Sequence, residues 1–338
     1  MLAIDGSEGE GGGQILRTAL SLSAITGSPF TLERIRARRR RPGLQRQHLV
    51  CVKAAAEIAG ATVEGATLGS DKLVFTPGVI RAGDYTFAIG SAGSTVLVFQ
   101  TVLPILLQAE AASRIALSGG THNPMAPTFD YLQRVVLPLL ARMGAVVETR
   151  FDRVGFYPAG GGAWQAKVQP ARTLHPLTLM ERGEVRQRRV VADVANIPFE
   201  VAEREVRTAA AALSWPPETG KPRTIASDGP GNVLSIEVET EAVTEIFTGF
   251  GERGLSAEAV VARTVKEAQA YLASNAPVGP YLADQLLVPL ALSGGGSFVT
   301  LPPTAHTRTN VAVIEKFLPV EFTLTDLADG RWQVTVVR

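Results

Sequence analysis

Apolar positions fall on two periods along the chain, and the switches between them outline the elements. A short apolar segment, Met1 to Ile4, precedes Gly6-Ser7-Glu8-Gly9-Glu10-Gly11-Gly12-Gly13-Gln14. Helical spacing then sets in through Ile15-Leu16-Arg17-Thr18-Ala19-Leu20-Ser21-Leu22. That order predicts a strand, a glycine-rich turn and a helix. Helices are also expected over 49–58 and 129–143, each closing at a glycine before a short strand, as a glycine just past a helix end allows. The two junctions resemble one another: Ile58-Ala59-Gly60-Ala61-Thr62-Val63-Glu64 returns as Arg142-Met143-Gly144-Ala145-Val146-Val147-Glu148. Likewise the helix after Gly13 has a counterpart in Thr95-Val96-Leu97-Val98-Phe99-Gln100, which follows Gly90-Ser91-Ala92-Gly93-Ser94. Both offsets are about 80 residues, the size of a unit of strands and two helices.

A third copy is expected to begin at Gly279-Pro280-Tyr281-Leu282 and to run through Gly294-Gly295-Gly296 to a helix over 310–317 and a closing strand pair. A contiguous third copy would start about 100 residues earlier, so something of domain size is inserted. The segment 181–275 has its own predicted strands (190–194, 233–238, 244–250) and helices (202–213, 256–273). Trp215-Pro216-Pro217-Glu218-Thr219-Gly220 punctuates it. The expected architecture is an α/β (α+β) body of three repeats, residues 1–180 and 276–338, with a smaller α/β domain, 181–275, inserted before the last repeat.

Composition narrows the function classes. With 338 residues, 46% hydrophobic and 19% charged, the chain reads as globular and large enough for two domains. Thirty-three basic against 32 acidic residues leave a net charge of +1, so a site for a polyanion must be a local patch. The single Cys51 excludes an internal disulfide and a cysteine-rich zinc site. With no charged leader before an apolar core, and no uninterrupted apolar run of about 18 residues, a soluble cytoplasmic protein is expected.

The glycine turn before the first helix exposes backbone N–H groups at the positive end of a helix dipole, a natural anion site. It is not a Walker loop, since no Gly-Lys-Ser/Thr follows. It also holds Glu8 and Glu10, which would repel a bare phosphate and so call for a metal or an arginine partner; Arg17 lies one helical turn on. The densest basic cluster is Arg34, Arg36, Arg38, Arg39, Arg40 and Arg41, with Arg46 beyond Pro42-Gly43. Such a run is commonly a solvated face, but guanidinium forks suit phosphate, and adjacent like charges repel unless an anion joins them. Gln100 ends the apolar run Val96-Leu97-Val98-Phe99, where a buried amide demands a polar partner. Glu203-Arg204-Glu205 is expected as a charged helix face, and Asp228-Gly229-Pro230-Gly231-Asn232 as a turn.

Read together, Gly9-Glu10-Gly11-Gly12-Gly13-Gln14-Ile15-Leu16-Arg17, Pro42-Gly43-Leu44, Gly119-Gly120-Thr121, Gly155-Phe156-Tyr157-Pro158-Ala159-Gly160-Gly161-Gly162 and His306…Thr309-Asn310 stand in the order of the RNA 3′-terminal phosphate cyclases. The resemblance spans nearly the whole chain, its specific motifs being Phe-Tyr-Pro-x-Gly-Gly-Gly and His-x-x-Thr-Asn. One departure is Val154, where relatives often carry histidine. The resemblance implies three βαβαββ-type units like the C-terminal domain of translation initiation factor three. It also implies ATP-dependent conversion of an RNA 3′-phosphate to a 2′,3′-cyclic phosphodiester, with a divalent cation (Mg²⁺ or Mn²⁺). His306 is then the nucleophile that takes AMP, since neutral imidazole attacks phosphorus well near pH 7. Gln100, Pro127, Tyr281, Asp284 and Gln285 fall in the nucleotide pocket, and Arg17, Arg36, Arg39 and Gln47 at the terminal phosphate. Glu10 is the metal-linked carboxylate, with Asp5 and Glu8 weaker candidates, and His48 and His122 are further polar candidates. Read without the family, a histidine such as His306 is more often an N-terminal cap or a surface group, and Asp284 and Gln285 more often the polar face of a helix over 281–292. Two other readings stay open. One is a non-catalytic RNA-binding ribosome-assembly factor of the same fold, against which His306 and Tyr281-x-x-Asp284-Gln285 argue. The other is an enolpyruvyl transferase, which leaves Phe156-Tyr157-Pro158 unexplained. The oligomeric state stays open as well.

Overall fold

A computed structural model describes residues 1–338. Three units repeat one order of elements. In the first, β1 (Leu2–Asp5), α1 (Gly13–Thr26), β2 (Phe30–Glu33), α2 (Arg46–Ala59), β3 (Thr62–Glu64) and β4 (Leu73–Thr76) form a sheet of order β1-β2-β4-β3. In the second, β5 (Asp84–Ala88), α3 (Thr95–Leu107) and β6 (Ser113–Gly119) lead to α4 (Phe129–Tyr131). A wide π-helical turn (Leu132–Val136) joins it to α5 (Leu137–Arg142), and β7 (Val147–Arg153) and β8 (Gly162–Val168) complete the order β5-β6-β8-β7. In both, the first two strands pair in parallel across a helix and the last two return antiparallel.

The third unit opens earlier than the sequence pattern indicates. Its first strand is β9 (Leu177–Leu179), ahead of the inserted segment, paired in parallel with a strand more than a hundred residues on. Three residues carry too little periodicity to be seen, so the repeat reads as if it began at its helix. The insertion follows: β10 (Val185–Ala195), α6 (Phe199–Ala212), β11 (Gly220–Thr224), β12 (Gly231–Thr240), β13 (Thr244–Phe250) and α7 (Ala257–Ser274), with sheet order β11-β10-β12-β13. The unit then resumes with α8 (Pro280–Ser293), β14 (Gly295–Thr300), α9 (Ala305–Phe317), β15 (Glu321–Asp326) and β16 (Trp332–Val337). The fold is thus mixed α/β, four four-stranded sheets covered by helices. No helix is long and apolar enough to cross a membrane.

A single apolar core runs through all three units. At its second-unit end Trp164 is fully buried, edge-on to Phe99 at 5.0 Å and Phe129 at 5.1 Å, and its indole N–H donates to Thr95 Oγ1 at 2.8 Å. Burying a side chain of that size stabilises by about 3 kcal/mol, and the hydrogen bond prevents the polar edge from cancelling the gain. The insertion has its own core between its sheet and α6 and α7, yet Val243 and Ile246 at its β13 edge belong to the body's core. Within it, Glu205 departs from the expected charged face. It is fully buried, accepts from Asn232 Nδ2 at 2.8 Å, and burial pushes its carboxyl up to about 7. Asn232, read as part of a turn, is likewise buried, in β12.

Candidate functional site

The glycine turn is shaped by what lies against it. Gly9 and Gly11 take left-handed backbone (φ +54° and +60°), and a Cβ on Gly9 would collide with Thr309. This close approach brings the first and third units together: the Glu10 N–H donates to Thr309 Oγ1 at 3.0 Å, and Thr18 Oγ1 donates to Asn310 Oδ1 at 2.7 Å. The Thr-Asn half of the histidine motif therefore locks α9 against the turn and α1. α1 starts at Gly13 after Gly12, with no side-chain cap, so its first N–H groups stay available. Gly13 is closely packed too, since a Cβ there would strike His48 Nε2.

Around that terminus the cations gather. Arg39 pairs with Glu10, the arginine partner the glutamate calls for; Arg17, the nearer candidate in sequence, acts on Glu10 through space. Arg17 is deeply placed, and burial first, then the charge of Arg39, lower its pKa. Burial, Arg39 and Arg17 act in the same direction on Arg36, whose Nη1 donates to the carbonyls of Arg41 at 2.6 Å and Gly43 at 3.0 Å. His48 sits among the three guanidiniums. Burial, followed by Arg17, Arg36 and Arg39, pulls it down to about 3, so it is a neutral imidazole, and its Nδ1 has no partner. Three guanidiniums surround one carboxylate, leaving an excess of positive charge beside free helix N–H groups. Of the rest of the arginine run, Arg40 and Arg41 are exposed, Arg34 pairs with Asp5, and the exposed Arg38 lies across the glycine turn, its Nη1 donating to the Gly9 carbonyl at 2.7 Å. Gln47 Oε1 accepts the Ser94 N–H at 2.6 Å and holds the loop before α3 against α2.

His306 stands on the first turn of α9, one residue inside the helix. The cap is Thr304, whose Oγ1 accepts the Thr307 N–H at 3.1 Å, so the capping reading of His306 is set aside. The imidazole is about half exposed. Its Nδ1 lies 2.9 Å from Gln14 Oε1 and 3.5 Å from Glu10 Oε1. Gln14 offers an oxygen there, so the network assigns the proton to Nδ1 and leaves the lone pair on Nε2, which makes no hydrogen bond. Glu10 Oε1 is buried and otherwise without a hydrogen-bond partner.

The remaining polar groups come from α3 and α8. Asp284 Oδ1 accepts from Thr307 Oγ1 at 2.5 Å, tying α8 to the residue after His306. Burial, assisted by the charge on Glu10 and opposed by that hydroxyl, raises its carboxyl to about 7. Gln100 finds its polar partner within the protein, its amide donating to Gln285 Oε1. Both line a cleft of about 100 Å³ with Gln14, Arg17, Asp284 and Asn310 at its polar end and leucines and prolines behind. Tyr281 and Pro127 are not in its lining. Tyr281 is exposed, its hydroxyl donating to Glu267 at 3.3 Å, and Pro127 is on the loop before α4.

Two features escape a reading of the sequence by element. Gln14 and Thr307, which orient His306 and Asp284, look like ordinary helix residues. The other left a visible signal: Gln100-Thr101-Val102-Leu103-Pro104 and Gln285-Leu286-Leu287-Val288-Pro289 hold the same two residues at the same spacing inside α3 and α8. A proline within a helix removes the bond to the carbonyl four residues back. Here those are the carbonyls of Gln100 and Gln285, both in cleft-lining residues.

Among solved structures, the chain is similar to the enolpyruvyl transferase NikO from Streptomyces tendae, at 11% identity and a TM-score of 0.37, over 99% of this chain and 48% of that one. It spans about half the length of that structure. The model of the RNA 3′-terminal phosphate cyclases matches residues 8–324, from within the glycine turn through α9 and into β15. The chain belongs to the RNA 3′-terminal phosphate cyclase family.

Proposed function

We propose that the chain is a catalytic cyclase, which uses ATP to convert an RNA 3′-terminal phosphate to a 2′,3′-cyclic phosphodiester through a covalent histidine–AMP. The observation that carries this reading is His306: half exposed, held at Nδ1 by Gln14, with Nε2 making no hydrogen bond. Nε2 attacks the α-phosphorus of ATP; an N–P bond forms, the α–β bridging P–O bond breaks, and pyrophosphate leaves. An oxygen of the RNA 3′-phosphate then displaces the histidine from that phosphorus, giving an RNA-linked adenylate. Finally the 2′-OH attacks the 3′-phosphorus, loses its proton and expels AMP. That last step is intramolecular, and positioning accounts for much of its speed.

Arg17, Arg36 and Arg39, with the free N–H groups of α1, are assigned to the 3′-phosphate, and Gln47 to the adjoining sugar–phosphate. The excess of guanidinium around one carboxylate supports this. Asp284 and Gln285 are assigned to the nucleotide's sugar, and Gln100 to holding Gln285. A nucleotide that also used Tyr281 and Pro127 lies over the rim of the cleft rather than inside it. A divalent cation bound with ATP would supply neutralisation of phosphate charge. No three His, Cys, Asp or Glu side chains converge to hold one alone, while the unpartnered oxygen of Glu10 fits a single carboxylate ligand for a cation held chiefly by phosphates.

The test is incubation with α-labelled ATP and Mg²⁺, without RNA, beside His306→Ala. Label that stays on the denatured protein as an acid-labile, base-stable adduct, and is lost in the variant, is expected. No adduct from folded protein with either Mg²⁺ or Mn²⁺ overturns the covalent mechanism and brings forward the assembly-factor reading.

A further inference from the structure

A buried carboxyl of the inserted domain meets the start of α8. Glu245 lies in β13, the insertion's edge strand, and is 1% exposed. Its Oε1 accepts the N–H of Gly279 at 2.5 Å. Gly279 is the N-cap residue of α8 and has no side chain to supply a cap, so the carboxyl reaches over from the insertion and serves that end of the helix. The fit is close, since a Cβ on Gly279 would sit 2.8 Å from Oε1.

The link between the insertion and α8 is held elsewhere too. Tyr271, at the end of α7, donates its hydroxyl to the Pro277 carbonyl at 3.1 Å, and the Val278 N–H bonds the Val299 carbonyl at 3.2 Å. From the pinned terminus, five residues of helix lead from Gly279 to Asp284, whose carboxyl is bonded to Thr307, the neighbour of His306. Along this path a shift of the α8 terminus moves Asp284 and Gln285 relative to the imidazole.

We propose that Glu245 is a positioning residue through which the inserted domain holds α8, and with it Asp284 and Gln285, in register with His306. This rests on the function proposed above. Burial raises the Glu245 carboxyl to about 8, so near neutral pH it acts as a hydrogen-bond acceptor more than as a charge. An amide of the same shape therefore substitutes for it, and a truncated side chain does not.

The experiment compares the full-length protein with Glu245→Ala and Glu245→Gln by amide hydrogen exchange over residues 279–286 and by the ATP dependence of labelling. For Glu245→Ala, exchange at the first turn of α8 is expected to quicken about tenfold, and the KM for ATP to rise by a similar factor while the maximal rate changes less than about threefold. Glu245→Gln restores both to near the wild-type values. If Glu245→Ala does not fold, Glu245→Asp, one methylene short of Gly279, carries the same expectation. Unchanged exchange overturns the contact. Faster exchange with an unchanged KM overturns the positioning role, as does a Gln variant no better than Ala. A wild-type protein that takes no label defeats the proposed function instead, and exchange alone then decides whether Glu245 holds α8.

Discussion

Replacing Asp284 with asparagine should make the protein more stable and less active, with the stability gain growing as the pH rises. The folded carboxyl titrates at about 7 against 3.8 for the free group, because burial and the charge of Glu10 outweigh the Thr307 hydroxyl. The unfolded chain releases the proton near pH 4, whereas the folded protein keeps it to about pH 7. Between those values the native state binds more protons, so the unfolding free energy falls as pH rises and the loss is complete above about 7. Three units at about 1.4 kcal/mol each amount to about 4 kcal/mol, of which about 2 kcal/mol accumulates between pH 5.5 and 8.5. Asparagine keeps an oxygen for Thr307 and carries no charge to bury, so it avoids this loss. For 338 residues the unfolding entropy is about 0.7 kcal/mol/K, so the Tm advantage of Asp284→Asn should widen by about 3 °C from pH 5.5 to 8.5 in calorimetry. Labelling by ATP should fall about tenfold at pH 8.5, where the wild-type carboxyl is charged, and less at pH 5.5, where it is protonated and asparagine resembles it. A Tm difference that does not change with pH, or a wild type that is the more stable at pH 8.5, refutes the argument.

Other expectations follow from the phosphate end of the site and from the insertion. Gly13→Ala places a methyl against His48 Nε2 and 3.1 Å from Arg17 Nη1. It should weaken binding of a 3′-phosphorylated oligonucleotide about tenfold, with little change for a 3′-hydroxyl one, by fluorescence anisotropy. Arg39→Ala leaves Glu10 buried without its cation and should cost about 2 kcal/mol in urea unfolding; adding Glu10→Gln should recover most of it. Glu205→Gln should raise Tm above pH 7 and leave it unchanged near pH 4, because the buried Glu205 carboxyl stays protonated to about 7.

Periodic features could be read from the chain. α1 begins at Gly13 as its glycine turn indicates, and β13 spans 244–250 as expected, because each strongly patterned segment has a clear boundary. β9 was invisible because three residues contain less than two full alternations, and its partner in β14 lies far along the chain. α9 starts ahead of the expected 310 because Thr304 and Thr307 form its cap, while the apolar spacing that marks a helix begins only at Val311. Within the site, the concentration of positive charge was legible, since charge density is a property of composition. Which arginine meets Glu10 was not, since that depends on how β2 and its following turn lie across the α1 terminus. Burial of Glu205 was equally hidden: Glu203, Arg204 and Arg207 beside it are charged, and only packing of α6 on the insertion's sheet turns it inward.

The repeat explains the fold, but the site comes from departures from it. The first helices of the three units, α1, α3 and α8, converge on the same cleft, joined by Ser21 Oγ to the Thr101 carbonyl at 2.6 Å and by Gln100 to Gln285. Aligned from their first residues, the sixth positions are Thr18, Gln100 and Gln285, all polar and all in the cleft. The tenth positions are Leu22, Pro104 and Pro289, so carbonyls are freed on two of the three sides. The fifth positions differ most: Arg17, Phe99 and Asp284 place a cation, a buried ring and an acid in equivalent slots. Three identical helices would present a ligand with no preferred direction. This substitution gives the lining of one cleft a polarity, a cation from α1 and an acid from α8, while Phe99 belongs to the core. On the proposed function, an asymmetric substrate, phosphate at one end and sugar at the other, would be held in one orientation. Because that polarity depends on single residues at matched positions, it leaves the hydrophobic period of each helix unchanged, and a reading based on period alone passes over it.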